Sequence, residues 1–202
     1  MKKISKAEQI RRRRKETINK NLEAYEKGYN DGGKGNAFEL QVVEYLVPKT
    51  TRTTVQGQDR HDLRIMLNGK YRTFEVKTGA GEIVKLTDEE LFDAKVDSYS
   101  LKTLLDGQKS EAIVYSYDAS LENARVFTKE EFFNFLRTYP SRNGNINGMF
   151  QKMGGVQTAK EKGFLRLKIA VNNSNCKAKK DWLLANIHKV GISLQELAKA
   201  RA

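Results

Sequence analysis

The dipeptide Asn68-Gly69 constrains the fold of this chain more than any other feature of its sequence. It separates two runs, residues 63–67 and 70–77, in which polar and apolar residues largely alternate. Asn-Gly suits a two-residue turn because both central positions of that turn require a positive φ angle. The sequence therefore predicts a β-hairpin in which the residues next to the turn pair with each other and the pairing continues outward in register.

The register of this hairpin brings acidic residues together. Counted outward from the turn, Asp62 lies directly opposite Glu75, and Lys77 follows on the same face. Opposed side chains lie about 5 Å apart at Cβ, where two carboxylates repel each other and favour a cation between them. Mg²⁺ suits such oxygen ligands and keeps water and phosphate in its remaining positions. Lys77 could orient or help to deprotonate an attacking water and offset charge in the transition state, which indicates phosphodiester hydrolysis.

The residues around this hairpin resemble the PD-(D/E)xK nuclease superfamily, which includes restriction endonucleases, Holliday-junction resolvases and repair nucleases. The family pattern is an acidic residue on one strand, Glu/Asp-x-Lys on the next, and usually a preceding helix that carries a glutamate. Asp62 matches the first acid, Glu75-Val76-Lys77 matches the tripeptide, and Glu39 resembles the helical glutamate.

The resemblance implies a fold and a set of roles. The fold is α/β, a restriction-endonuclease-like core with a central mixed β-sheet flanked by helices, to which basic helical N- and C-terminal extensions are added. The reaction is hydrolysis by a metal-activated water, with Mg²⁺ as the cofactor and Mn²⁺ as its substitute. The residues implied to be catalytic are Asp62, Glu75, Lys77 and Glu39, and those implied to hold the metal are Asp62, Glu75 and Val76.

Three of these residues also have a structural interpretation. Glu75 and Lys77 could form an ordinary ion pair on an exposed strand. Glu39 stands three positions after Asn36, the predicted N-cap of its helix, where an acid completes a cap or favours the helix dipole. The combination of acid, tight hairpin, register and upstream helix favours a nuclease more than any one residue does.

Two residues before Asp62 bear on the motif. His61 occupies the position of the proline in the motif's name, and we interpret it as a structural residue or a DNA contact, because this chemistry does not need an imidazole. Asp59 is a rival for the first acid. Asp59 is three residues from Asp62, so in an extended strand its side chain would point to the face opposite Glu75, and Asp62 is favoured.

The positive charge predicts a polyanionic partner. The formal net charge is +12, and a surface of that sign attracts nucleic acid. Residues 1–27 hold ten Lys or Arg against four acids, residues 152–202 hold eleven against three, and the middle of the chain is slightly acidic. Such basic ends can grip phosphates while the centre gathers carboxylates. The predicted DNA contacts are Arg11, Arg12, Arg13, Arg14, Lys34, Arg64, Lys177, Lys179 and Lys180.

The pattern of charge, glycine and apolar residues also predicts the organisation of the chain. Residues 1–32 form a basic helical arm and linker, residues 33–140 form the nuclease core, and residues 141–202 form a basic strand and helix extension that packs on or beside the core. The predicted helices cover residues 37–46, 87–106 and 177–189, the last of them basic, and a further helix runs from its cap Thr128 to Arg137. The first has Phe38, Val42, Tyr45 and Leu46 on its apolar face. Strands are predicted over 112–117, 124–127 and 164–171, and capping boxes are predicted for Thr128 with Glu131 and for Ser193 with Glu196.

Composition narrows the remaining possibilities. The single cysteine, Cys176, provides neither a disulfide framework nor a cysteine-rich zinc site. No apolar run approaches the roughly 20 residues that span a bilayer, so we expect a soluble cytoplasmic protein with no membrane partner.

The predicted function is that of a Mg²⁺-dependent DNA endonuclease, either of the restriction type or acting on junctions in recombination. Cutting both strands with one active site per chain would suggest a homodimer. The alternative is a non-catalytic nucleic-acid-binding protein that uses a nuclease-like fold, because a fold does not guarantee an activity.

Overall fold

The computed structural model of the chain describes residues 37–46, 62–87, 89, 92, 99–140, 148–154, 156–171 and 177–201. The chain divides by its contacts into two units, Met1–Ala37 and Phe38–Ala202, and the second unit contains the hairpin and both sheets. The elements in chain order are α1 (residues 37–46), β1 (Leu63–Leu67), β2 (Lys70–Thr78), β3 (Glu82–Leu86), α2 (Leu101–Gly107), β4 (Ala112–Ser116), β5 (Arg125–Thr128), α3 (Lys129–Arg137), β6 (Phe150–Met153), α4 (Val156–Lys162), β7 (Leu165–Ile169), α5 (Lys177–Asn186), a 3-10 turn (Ile187–Lys189), β8 (Ile192–Ser193) and α6 (Leu194–Arg201).

The hairpin has the predicted turn and the predicted register. Leu67 pairs with Lys70, and the antiparallel pairing continues to Leu63 opposite Phe74. Asn68 and Gly69 have φ angles of 50° and 73°, as this kind of turn requires. The residues of β1 and β2 therefore divide between two faces as the sequence predicted.

The strands form two sheets. The five-stranded sheet has the order β1-β2-β4-β5-β8, in which β2 and β4 are parallel and the other neighbours are antiparallel. The three-stranded sheet has the order β3-β7-β6 and is antiparallel throughout. The five-stranded sheet is mixed, which agrees with the predicted α/β class.

Helices cover both faces of the five-stranded sheet. On one face, Phe38 of α1 and Leu194 of α6 share a buried apolar cluster with Val76 of β2. On the other, Leu104 of α2 and Phe132 of α3 belong to a second cluster. The second cluster also contains Ile113, Tyr115 and Phe127 of the five-stranded sheet and Leu165, Leu167 and Ile169 of the three-stranded sheet.

Several local predictions are confirmed. Thr128 caps α3, and its side chain and that of Glu131 form the reciprocal bonds of a capping box. Ser193 and Glu196 form the same arrangement at the start of α6. Of the helical structure predicted over residues 87–106, Glu89, Phe92 and α2 are helical, and the remainder of that stretch before residue 99 lies largely outside the described residues.

One prediction for α1 is wrong. Phe38, Val42 and Leu46 are buried as expected, but the side chain of Tyr45 is 42% exposed. The buried stripe turns toward Val43, which packs against the same cluster, and this leaves Tyr45 at the edge of the stripe.

The C-terminal segment is part of the folded unit. It supplies β6 and β7, which pair with each other, and β7 also pairs with β3. It also supplies β8, which pairs with β5. The division of the chain by its contacts falls after Ala37, and this segment belongs to the larger unit. The predicted boundaries at residues 32 and 140 stay predictions.

Candidate active site

The in-register pairing of the hairpin ends with Leu63 opposite Phe74. The backbone N–H of Asp62 also donates to the carbonyl of Phe74, at 3.1 Å, so at Asp62 the chain leaves the register that would have paired it with Glu75 by one residue. The N–H of Val76 donates to Oδ2 of Asp62 at 2.8 Å. The Asp62 carboxylate thus supplies an acceptor to the edge of β2 at the point where β1 begins, and its position is fixed by the fold.

Lys77 bridges the two carboxylates of the hairpin. Its Nζ atom lies 2.6 Å from Oε1 of Glu75 and 3.2 Å from Oδ2 of Asp62. The side chains of Glu75, Lys77 and Asp62 are 17%, 19% and 22% exposed. The cation expected between the opposed carboxylates is, in this arrangement, the ammonium group of Lys77.

Glu39 joins the cluster from α1. Its carboxyl group forms a hydrogen bond with that of Asp62, and it lies close enough to Lys77 and Glu75 to feel their charges. Burial, followed by the negative charge of Asp62, raises the pKa of Glu39 from 4.5 to about 7. Glu39 therefore keeps its proton to nearly neutral pH.

The other two charged groups are also perturbed. Burial raises the pKa of Glu75, and the Asp62 carboxylate adds to this effect, whereas the attraction of Lys77 opposes it. Burial alone would lower the pKa of Lys77, but the carboxylates of Glu75 and Asp62 outweigh it, and the net effect is a raised pKa. Lys77 is consequently an ammonium ion throughout the neutral pH range.

Residues from elsewhere in the chain support Glu75 and Lys77. The hydroxyl of Ser110, which is fully buried, donates to Oε2 of Glu75 at 3.4 Å. A Cβ atom added at Gly81 would lie 3.2 Å from Cδ of Lys77, so the glycine leaves room for the lysine side chain. Sequence reasoning did not identify either residue, because no local pattern links them to the hairpin.

The donor set suits a divalent cation, but the carboxylates do not already enclose one. Among the residues that the structure describes, no group of three His, Cys, Asp or Glu side chains is arranged to hold a metal ion. The oxygens of Asp62 and Glu75 suit Mg²⁺, and the buried Val76 could add only its backbone carbonyl. Coordination by both Asp62 and Glu75 requires the ammonium of Lys77 to leave its position between them.

The predicted DNA contacts fall into two groups. Arg11, Arg12, Arg13, Arg14 and Lys34 lie outside the described residues, as do His61 and Asp59. Within the described part, Arg64 is exposed and its guanidinium lies 4.5 Å from the centre of the Tyr71 ring. Lys177, Lys179 and Lys180 are on α5, and Nζ of Lys180 lies 4.9 Å from the centre of the Tyr117 ring. Contact with DNA remains a prediction for all of them.

No protein-family model, curated protein or solved structure matches this chain. The resemblance to the PD-(D/E)xK nucleases therefore rests on the motif residues and stays a prediction. In the described part of the chain, no helix has the length and apolar character needed to cross a membrane.

Proposed function

We propose that this chain is a Mg²⁺-dependent endonuclease that hydrolyses phosphodiester bonds in DNA. The observation that carries the proposal is the convergence of Glu39, Asp62, Glu75 and Lys77 at the open end of the hairpin. These residues come from one helix and two strands, and they match the residue types and order of the nuclease motif.

The charge of this cluster supports a divalent cation as its ligand. When all groups are ionised, three carboxylates face one ammonium, so the cluster keeps an excess of two negative charges. Burial and then the charge of Asp62 raise the pKa of Glu39, and the attraction of Lys77 does not outweigh them. A doubly charged cation with oxygen preference would neutralise it and allow Glu39 to ionise.

The residues can be assigned roles from their chemistry. When bound by these residues, Mg²⁺ would supply an activated water and a positive charge to stabilise the phosphate. Asp62 and Glu75 hold the ion, and Lys77, which is protonated and has no lone pair, stabilises developing negative charge and does not act as a base. Glu39, which would be ionised once the cation is bound, could then accept a proton from the attacking water.

A second candidate function has its own supporting observation. The bridge from Lys77 to Glu75 and Asp62 satisfies both carboxylates through protein contacts alone. The same fold could therefore serve as a non-catalytic nucleic-acid-binding protein.

Cleavage assays with matched variants separate the two candidates. We expect the protein to cut at least one of plasmid, linear duplex, single-stranded or four-way-junction DNA when Mg²⁺ or Mn²⁺ is present. Asp62→Asn retains an oxygen that accepts from the Val76 N–H, so the hairpin is kept while one carboxylate charge is lost. We expect Asp62→Asn and Lys77→Met each to lower kcat by about 10²-fold or more.

The control for this experiment is Glu161→Gln, which removes an exposed carboxylate from α4. It should cut at the wild-type rate, and all three variants should bind DNA with nearly unchanged affinity. A wild-type protein that binds DNA but cuts none of these substrates with either metal would establish the binding protein instead.

A further inference from the structure

A cavity of about 420 Å³ lies directly beside the acidic cluster. Glu75 contributes to its wall, and the rest comes from β3 and from the residues that follow α2. A volume of this size is within the range of small-molecule sites, about 300 to 1,000 Å³. The cavity is therefore large enough to take a part of the substrate next to the reacting bond.

The rest of the wall has both apolar and hydrogen-bonding side chains. Ile83 is apolar. Gln108, which is only 5% exposed, lines the same space. The Gln108 amide donates to the carbonyl of Ile83 at 2.7 Å and accepts from the N–H of Ser110 at 2.9 Å. These bonds use one of its two N–H groups and one lone pair, and they fix the plane of the amide. A fixed glutamine amide is a common partner for the edge of a nucleobase.

The rim of the cavity is basic. Lys85 and Lys109 line it and are exposed. Nζ of Lys85 lies 4.3 Å from the centre of the Phe164 ring, and Nζ of Lys109 donates to the carbonyl of Asp106 at 2.6 Å. The Lys85 ammonium is held by an uncharged ring and retains its attraction for a phosphate. Lys109 also lies near the Asp106 carboxylate, but that carboxylate is paired with Lys102.

Glu82 is the other acid in the cavity lining, and an arginine balances its charge. The elements that form the cavity pack closely together. Glu82 forms a salt bridge with Arg166, with Oε2 and Nε 3.2 Å apart. A Cβ atom added at Gly107 would overlap the side chains of Val84 and Leu86, so the end of α2 packs directly on β3. The space is formed by packed elements before any ligand binds.

We propose that this cavity binds one unpaired nucleotide next to the scissile phosphate, and that the substrate is DNA that is single-stranded or unpaired at the cut. The inference rests on the proposed nuclease function. A paired nucleotide is held in the duplex stack, whereas an enclosed site of this kind takes a nucleotide that has left the stack. In this arrangement the base contacts Gln108, the phosphates face Lys85 and Lys109, and the scissile bond lies at Glu75.

Binding measured without metal tests the cavity independently of cleavage. A fluorescein-labelled ten-nucleotide single strand and the matching duplex are titrated with protein in EDTA, and fluorescence anisotropy is recorded. Thr87→Leu places a larger aliphatic side chain at an exposed lining position without adding a ring on which a base could stack. Lys85→Glu reverses a charge at the rim.

The controls are Thr87→Val, which keeps the size of threonine, and Lys70→Glu, which makes the same charge change at the turn of the hairpin. We expect wild type to bind the single strand more tightly than the duplex. Thr87→Leu and Lys85→Glu should weaken single-strand binding at least tenfold, and both controls should change it less than threefold. Thr87→Leu should leave duplex binding unchanged.

The cavity proposal is overturned if Thr87→Leu and Lys85→Glu bind the single strand as their controls do, or if wild type prefers the duplex. The binding experiment and the cleavage assay can fail independently of each other. If single-strand binding depends on the cavity as described but no DNA is cut with Mg²⁺ or Mn²⁺, the cavity assignment stands and the nuclease proposal fails. If DNA is cut and Thr87→Leu has no effect on single-strand binding, the nuclease proposal stands and the cavity assignment fails.

Discussion

Asp62 has both a structural and a proposed chemical role. Its carboxylate accepts from the backbone of Val76 at the start of the hairpin, and it also contacts Lys77 and raises the pKa of Glu39. Removal of the whole side chain would disturb the strand as well as the charge. Asparagine at this position is therefore the informative substitution.

Glu39 should make the metal-free fold less stable as the pH rises. Its pKa is raised from 4.5 to about 7 in the folded protein, so the folded state binds the proton more tightly than the unfolded chain. Stability is therefore lost as the pH rises through this window and stays lower above it. In EDTA at pH 8, Glu39→Gln should raise the thermal midpoint by about 2 to 4 °C, the shift that about 1 kcal/mol produces in a chain of this size.

The same substitution should have little effect at pH 4, where the carboxyl group is protonated in both states. Circular dichroism melting curves at the two pH values measure the difference. If Glu39→Gln raised the thermal midpoint equally at both pH values, or lowered it at pH 8, the ionised form of Glu39 would not be destabilised in the folded protein.

At the scale of elements, the turn of the hairpin fixes the site. Gly69 has a φ angle of 73°, and a Cβ atom there would meet nothing within 4 Å, so alanine introduces backbone strain without a clash. We expect Gly69→Ala to lower the free energy of unfolding by about 1 to 2 kcal/mol. Urea denaturation measures this loss.

Gly154 provides a matched comparison for that experiment. It also has a positive φ angle, 80°, with open space around it, but it follows β6 and is not part of the hairpin. Gly154→Ala should cost a similar amount. A Gly69→Ala protein as stable as wild type would indicate that the turn does not need its left-handed conformation.

The elements that the sequence predicted are those with local signals. The hairpin has its Asn-Gly turn, and α3 has its capping box, so neighbouring residues suffice to define them. β3 had no such signal, because the bulge between Glu82 and Val84 interrupts the alternation of its side chains. Its partner β7 lies about 80 residues further along the chain, and no local pattern indicates a pairing of that range.

The candidate site was predictable to the same extent. The approach of Glu75 and Lys77 follows from the alternation along β2, and Asp62 reaches them from the end of β1 although it leaves the predicted register by one residue. Ser110 reaches Glu75 because it precedes β4, the parallel neighbour of β2, and that arrangement depends on the whole sheet. The bridging position of Lys77 depends on burial and on the balance of charges, which the spacing of residues does not contain.

At the scale of the whole molecule, the C-terminal segment stabilises the core on which the hairpin packs. Leu197 of α6 is buried in the same apolar cluster as Leu63, Phe74 and Val76. We expect Leu197→Ala to lower the free energy of unfolding by about 2 to 5 kcal/mol in urea denaturation. Leu184→Ala on α5, where the leucine is 44% exposed, should change it by less than about 0.5 kcal/mol. Equal effects of the two substitutions would contradict the placement of α6 in the core.

Calorimetric titration of Mn²⁺ into the metal-free protein at pH 7.5 tests whether the cluster is a metal site. We expect a single saturable site in wild type and in Glu161→Gln, with affinity at least tenfold weaker in Asp62→Asn and Glu75→Gln. We also expect tighter binding at pH 8 than at pH 6, since the ion must displace the proton held by Glu39. A wild-type protein that binds no Mn²⁺, or an Asp62→Asn protein that binds it as tightly as wild type, would contradict the assignment of this cluster as a metal site.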